Sequence, residues 1–146
     1  MPEIASLYET DFYEWSNVQA DHIKNKRFSE IDIENLIEEI ESLGISNKTT
    51  LRSQLNRLLM HLLKEKYQPE KNYSNSWRSS IIDAKREILY ITDHSPSLKN
   101  FLLVIFPKSY KDARKYASEE TNLDIKTFPE ECPWEFYELF VELKKK

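Results

Sequence analysis

Three cationic or protonatable side chains recur at one-turn spacing in the middle of the chain. Arg57, His61 and Lys64 stand at i, i+4 and i+7, which places them on one stripe of a helix beside a row of leucines. Like charges at this spacing repel unless an anion lies opposite. A glutamate of this chain, a phosphate or an acidic partner would supply that anion, and His61 would then titrate near neutral pH. The alternative is a solvated helix face without a ligand.

A second polar pair falls on an apolar helix face near the N-terminus. Asp11 and His22 lie on the same arc as Phe12, Trp15 and Val18. A carboxylate or imidazole on a core-facing arc needs a partner, because an unpaired buried charge is costly. As a functional pair, the two residues would serve as general acid and base or as metal ligands. As structural residues, Asp11 would cap a helix and His22 would bond to a carbonyl group.

Charged residues are unevenly distributed along the chain, whose net charge is −4. Residues 1–47 carry three basic and eleven acidic side chains, residues 48–86 carry nine and three, and residues 87–146 carry nine and eleven. The basic middle indicates either a nucleic-acid footprint or a segment that packs against the acidic front of the same chain. Because a polyanion binder usually carries an overall positive charge, the sequence favours internal pairing and keeps a nucleic-acid-binding module as an alternative.

Apolar residues recur at helical spacing throughout the chain, and its single glycine argues against sheets and tight hairpins. Gly44 is typical of a helix stop, while Pro96 and Pro107 are typical of first helical positions. The predicted helices cover about residues 10–26, 29–44, 47–66 and 76–91, followed by helices that begin near Ser95, Pro107 and Pro133. We therefore predict an all-α fold, a compact bundle of six or seven helices, as a single domain over residues 1–146.

The compartment is indicated by what the sequence lacks. The lone Cys132 has no partner for an internal disulfide, and the first residues carry neither a basic n-region nor an apolar h-region. The longest apolar run, "FLLVIF" at residues 101–106, is far shorter than the roughly 18 residues of a spanning helix. We predict a cytoplasmic protein that does not associate with membranes.

Common catalytic motifs are missing from the sequence. It contains no GxSxG, no P-loop, no HExxH and no Glu-x-x-His pair. The three histidines fall on separate helical segments, so we predict neither a metal site nor a cofactor. Catalysis stays open but is not favoured. The corresponding alternative is a metal- or acid/base-dependent enzyme centred on Asp11, Glu38 and His61.

Several short motifs follow one another in a fixed order along nearly the whole chain. They are "LYETDFYEW" from residue 7, "DIENLIEEIESLG" from residue 32, "HLLK" from residue 61, "SW" from residue 76, "SPSL" from residue 95, "ET" from residue 120, "FP" from residue 128 and "CP" from residue 132. Taken together they resemble the bacterial domain of unknown function 29 family. That resemblance implies a compact all-helical domain in a cytoplasmic setting, with no established activity.

The residues that match the polar pattern of this family overlap with those on the helical stripes. We take six of them as a candidate polar site: Asp11, Glu38, His61, Lys64, Trp77 and Arg86. The favoured function is a non-catalytic protein-interaction or regulatory module, whose partner would dock near the third and fourth predicted helices. The identity of that protein partner is not indicated by the sequence.

Overall fold

The structure, a computed structural model, describes residues 6–68 and 75–144, without the side chains of residues 75–77. All regular structure in these residues is helical, so the all-α prediction is confirmed. The α-helices, α1 to α6, are Leu7–Thr10, Phe12–Lys24, Ile33–Tyr67, Asn75–His94, Leu98–Thr121 and Phe136–Leu139. Short 3₁₀ helices cover Phe28–Glu30, Ile125–Thr127 and Val141–Leu143. No helix in the described ranges has both the length and the apolarity needed to cross a membrane.

The chain divides into two compact units, Met1–Ile45 and Ser46–Lys146. Helix α3 contributes its N-terminal part to the first unit and its C-terminal part to the second. A single domain over residues 1–146 stays a prediction.

A row of leucines on α3 forms the centre of the second unit. Each of these leucines is at most 2 % exposed: Leu51, Leu55, Leu58, Leu59 and Leu63. They share one cluster with buried residues of α4, α5 and the C-terminal segment, among them Ile88, Leu102, Phe128 and Phe140. Burying such a side chain stabilises the fold by about 1.5–3 kcal/mol, so this cluster is the main source of stability in the second unit.

The first unit is held together by aromatic and polar contacts around Trp15. The rings of Tyr8 and Phe12 lie 4.8 and 5.5 Å from the Trp15 ring, centroid to centroid. Trp15 Nε1 donates a hydrogen bond to Asp32 Oδ2 at 3.0 Å, and Tyr8 Oη donates one to Glu39 Oε1 at 2.6 Å. These two bonds attach α1 and α2 to the start of α3.

The predicted helix stop at Gly44 is wrong, because α3 continues through it to Tyr67. Gly44 does not adopt the positive φ of a helix-terminating glycine. A glycine inside a helix costs only about 1 kcal/mol relative to alanine. The burial of Leu51 and Leu55 in the following turns exceeds that cost, so the two predicted helices form one.

The predicted helix start at Pro107 is also wrong, because this residue lies inside α5. A proline in a helix interior costs about 3 kcal/mol, since it removes a backbone donor and crowds the preceding turn. Phe106 and Tyr110, on either side of it, are buried in the core and offset this cost. Pro107 itself is exposed.

The two terminal helices are shorter than predicted. Asp11 interrupts the first one, because its side chain accepts a hydrogen bond from Glu14 N and caps α2. At the C-terminal end, the helix predicted to begin near Pro133 is α-helical only over α6, and a 3₁₀ turn follows at Val141–Leu143. The last two lysines lie outside the described residues.

Replacement of Gly44 by alanine tests the continuity of α3. An added Cβ would meet nothing within 4 Å, so we expect Gly44→Ala to raise the free energy of unfolding by about 0.5–1 kcal/mol in urea denaturation. The control is Asn122→Ala, because Asn122 has φ 58° at the end of α5. Alanine lacks the polar side chain that allows asparagine to adopt this positive φ. Asn122→Ala should therefore lower the free energy of unfolding by about 1 kcal/mol. Destabilisation by Gly44→Ala would contradict a continuous helix.

Candidate functional site

The stripe predicted on α3 is present and extends by one residue. We call Arg57, His61, Lys64 and Gln68 the polar stripe. Its members stand at i, i+4, i+7 and i+11; the first three lie on one side of α3, and Gln68 directly follows the last residue of the helix. From Arg57 to Gln68 only Lys66 is classed as exposed, so this part of α3 is covered on most of its circumference. A solvated helix face is therefore not what the structure shows.

Two members of the polar stripe bond to neighbouring helices. Arg57 Nη2 donates to Ser80 Oγ on α4 at 3.1 Å. Lys64 Nζ lies 3.3 Å from Glu120 Oε2 on α5, with the lysine side chain 8 % exposed and the glutamate side chain 52 % exposed. The anion opposite the stripe is thus a carboxylate of this chain. Helical spacing could not predict this partner, because Glu120 lies 56 residues from Lys64. Glu120 was singled out only as part of the "ET" family motif.

His61 lies between these two bonded cations. Burial lowers the pKa of its imidazole, the charges of Lys64 and Arg57 lower it further, and Glu120 opposes them. Among the described residues, neither His61 Nδ1 nor Gln68 Oε1 has a hydrogen-bond partner, although both atoms are buried. A neutral imidazole in this position can accept a hydrogen bond or a proton. It does not add a third positive charge to the stripe.

The other predicted site residues of the second unit have separate neighbours. Arg86 on α4 is exposed, and its guanidinium lies 3.8 Å from the carboxylate of Asp83. Lys85, which was not a predicted site residue, precedes Arg86 in the sequence and pairs with Glu142 in the C-terminal segment at 3.2 Å. The side chain of Trp77 lies outside the described residues. In the second unit the structure therefore brings His61 and Lys64 together, and it gives Arg86 a different partner.

Asp11 and Glu38 belong to the first unit and have no partner in common there. Asp11 caps α2, which confirms the structural interpretation of this residue. Glu38 is exposed on α3, and its backbone carbonyl accepts a hydrogen bond from Ser42 Oγ. His22 Nδ1 accepts a hydrogen bond from Arg27 Nε at 3.3 Å, so its partner is a guanidinium and not a carbonyl group.

The residues around Trp15 explain the electrostatics of the first unit. Donors from Asn35 and Trp15 lower the pKa of Asp32. The hydrogen bond to Glu39 raises the pKa of Tyr8 to about 12, with burial as a smaller cause. Both shifts follow from bonds that fasten the helices, so these groups are structural.

An exposed row of apolar side chains lies on the N-terminal part of α3. We define the α3 apolar face as Ile33, Ile37, Ile40, Leu43 and Gly44. The four large side chains are between 50 % and 69 % exposed. The sequence predicted their helical periodicity correctly. However, periodicity alone does not distinguish a face that packs inside the chain from one left open.

No group of three or more His, Cys, Asp or Glu side chains in the described part of the chain is placed to hold a metal ion. Cys132 is half-buried, its Sγ lies 3.2 Å from the Trp134 carbonyl oxygen, and burial raises the pKa of the thiol. A raised thiol pKa disfavours the nucleophilic thiolate. The groups in the second unit that could take part in chemistry are thus the neutral His61 and, beside it, an ion pair between the buried Lys64 and the half-exposed Glu120.

Two substitutions should move the pKa of His61 in opposite directions. Lys64→Met removes a nearby positive charge and keeps most of the buried stem, so the pKa should rise towards 6.5. Glu120→Gln removes the opposing negative charge, so the pKa should fall further. Titration of the imidazole protons by NMR measures both. A wild-type pKa at 6.5 that neither change moves would contradict this arrangement.

Comparison with known families gives one match. A family model described as Domain of unknown function DUF29 matches residues 7–142. Searches of curated proteins and of solved structures found no match. The family match covers both units and all the motifs that carried the resemblance. The chain belongs to the family described as Domain of unknown function DUF29.

Proposed function

We propose that this protein is a non-catalytic interaction module that docks a protein partner on the α3 apolar face. One observation carries the proposal, the unequal burial of the two units. Ten of the sixteen exposed large apolar side chains in the described residues lie between Leu7 and Ile45. In the same segment Trp15 is the single buried apolar residue among those described. Contiguous exposed apolar side chains are typical of interaction sites.

The polar surroundings of this face support binding over solvation alone. Glu34, Glu38 and Glu41 are exposed beside it on α3, and within the described residues none of the three forms an ion pair. An apolar centre with a charged rim is the usual anatomy of a protein interface. The position differs from the docking place expected from the sequence, which lay beside the polar stripe.

The described residues bear unequally on the two alternatives. A phosphate-binding surface needs accessible cations. Lys64 is buried against Glu120, but Arg52 and Arg78 are exposed, so the nucleic-acid alternative keeps accessible cations. Pairing of the basic middle with the acidic front stays a prediction. In the enzyme alternative, Asp11 and Glu38 would take part in the chemistry. Asp11 caps α2, and Glu38 is exposed beside the apolar face.

Site-specific photo-crosslinking tests the proposal. The photoreactive residue p-benzoyl-L-phenylalanine is placed at Ile37 of the full chain, in the cells that naturally produce it. We expect a protein adduct of defined mass after irradiation. A further Ile33→Glu change should remove this adduct, because a carboxylate within an apolar contact is costly to bury.

The matched control places the same photoreactive residue at Val104. Val104 is 77 % exposed on α5 and therefore reports non-specific collisions of an exposed apolar position. Equal adducts at Ile37 and Val104, adducts with nucleic acid, or no adduct at Ile37 would each overturn the proposed function.

A further inference from the structure

We propose that the partner segment is a basic amphipathic α-helix that lies along α3 and makes its closest approach at Gly44. This inference rests on the proposed function and names the kind of segment that docks. It is argued from the shape of the α3 apolar face, the space around Gly44 and the charges beside the face.

The shape of the face fits a helix. Ile33, Ile37, Ile40 and Gly44 follow the i, i+4, i+7, i+11 line, which spans three turns, or about 16 Å, at 1.5 Å per residue. Such a row forms the ridges and grooves into which the side chains of a second helix pack. An extended peptide would need an unpaired strand edge for its backbone, and the described residues contain no strand.

Gly44 has no role inside the described chain. It costs α3 about 1 kcal/mol relative to alanine, it does not use a positive φ, and no atom within 4 Å requires the absence of a Cβ. The remaining use of a glycine in mid-helix is to let another backbone approach closely. Because Gly44 continues the line of Ile33, Ile37 and Ile40, the approaching backbone belongs to whatever covers the α3 apolar face.

The charges select a basic helix. Glu34, Glu38 and Glu41 lie on one flank of the apolar line, within about 100° of its edge on a helical wheel. The first 47 residues carry three basic and eleven acidic side chains. Lysines or arginines flanking the apolar side of a partner helix would pair with these carboxylates. The same face of a second copy would oppose carboxylate to carboxylate, which disfavours a symmetric dimer.

The test identifies the segment that is crosslinked at Ile37. After irradiation, the adduct is digested and the attached peptide is sequenced by mass spectrometry. We expect a segment with apolar residues at i, i+3, i+4 and i+7 and an excess of lysine and arginine. An acidic segment, a segment without helical periodicity, or a peptide of this chain would overturn the inference.

Two sets of variants test the geometry with the same readout. Gly44→Leu fills the open space and should lower the adduct yield about tenfold, which corresponds to about 1.4 kcal/mol of affinity. The control Ser42→Leu adds the same side chain on the opposite side of α3 and should leave the yield unchanged. Neutralising the flank with Glu34→Gln, Glu38→Gln and Glu41→Gln together should lower the yield by a similar factor. The triple change should also remove the dependence of the adduct yield on salt concentration.

The failures can be told apart. No adduct at Ile37 removes the proposed function and this inference with it. A specific adduct whose segment is not basic and amphipathic removes the inference alone. An adduct that survives Gly44→Leu at full yield removes the close approach at Gly44. Circular dichroism of each variant should show retained helices, because leucine and glutamine are good helix formers.

Discussion

Burial of α3 is the constraint on which the second unit depends. Its leucine row packs into the core, and from Arg57 to Gln68 nearly every other side chain is at least partly covered as well. On a helix that is covered on most sides, polar side chains have little access to solvent. Arg57 and Lys64 therefore bond to α4 and α5, and His61 avoids a positive charge through a lowered pKa. The polar stripe follows from the packing of α3, and the bonds of Arg57 and Lys64 to other helices give these two residues a structural role.

The ion pair between Lys64 and Glu120 illustrates what such contacts contribute. Removing a lysine from water is costly, and an ion pair repays that cost only in part. Glu120 remains half exposed, so solvent screens the pair and its net stabilisation is small. The ion pair has a larger effect on which packing arrangement of α3 and α5 forms. In other arrangements the buried ammonium group would lack a carboxylate, which is costly. The leucines provide the stability, and the polar stripe restricts how the helices pack.

Much of the fold could be predicted from the sequence, because helical periodicity is a local property. The leucine row, the capping role of Asp11 and the all-α class all follow from spacing and residue type. Helix ends were less predictable, because Gly44 and Pro107 have local costs of about 1 and 3 kcal/mol that burial elsewhere outweighs. The partner of Lys64 could not be predicted, since Glu120 lies 56 residues away along the chain. Exposure was the hardest property to predict, because the α3 apolar face has the same periodicity as the buried leucines.

The contrast between the two parts of α3 indicates where a partner of the proposed kind would gain most by binding. In the second unit, Arg57, Lys64 and Lys85 have partners within the unit, and the leucines are buried. A ligand that bound these residues would have to replace existing contacts. In the first unit, the isoleucines are half exposed and the neighbouring glutamates form no ion pair among the described residues. Covering them would gain apolar burial at about 25 cal/mol per Å² and would displace no contact of the chain. Glycine in open space at the end of this row removes the steric cost of close packing. Apolar surface, unneutralised charge and open space thus coincide on the N-terminal part of α3, which supports recognition at that face over chemistry at the polar stripe.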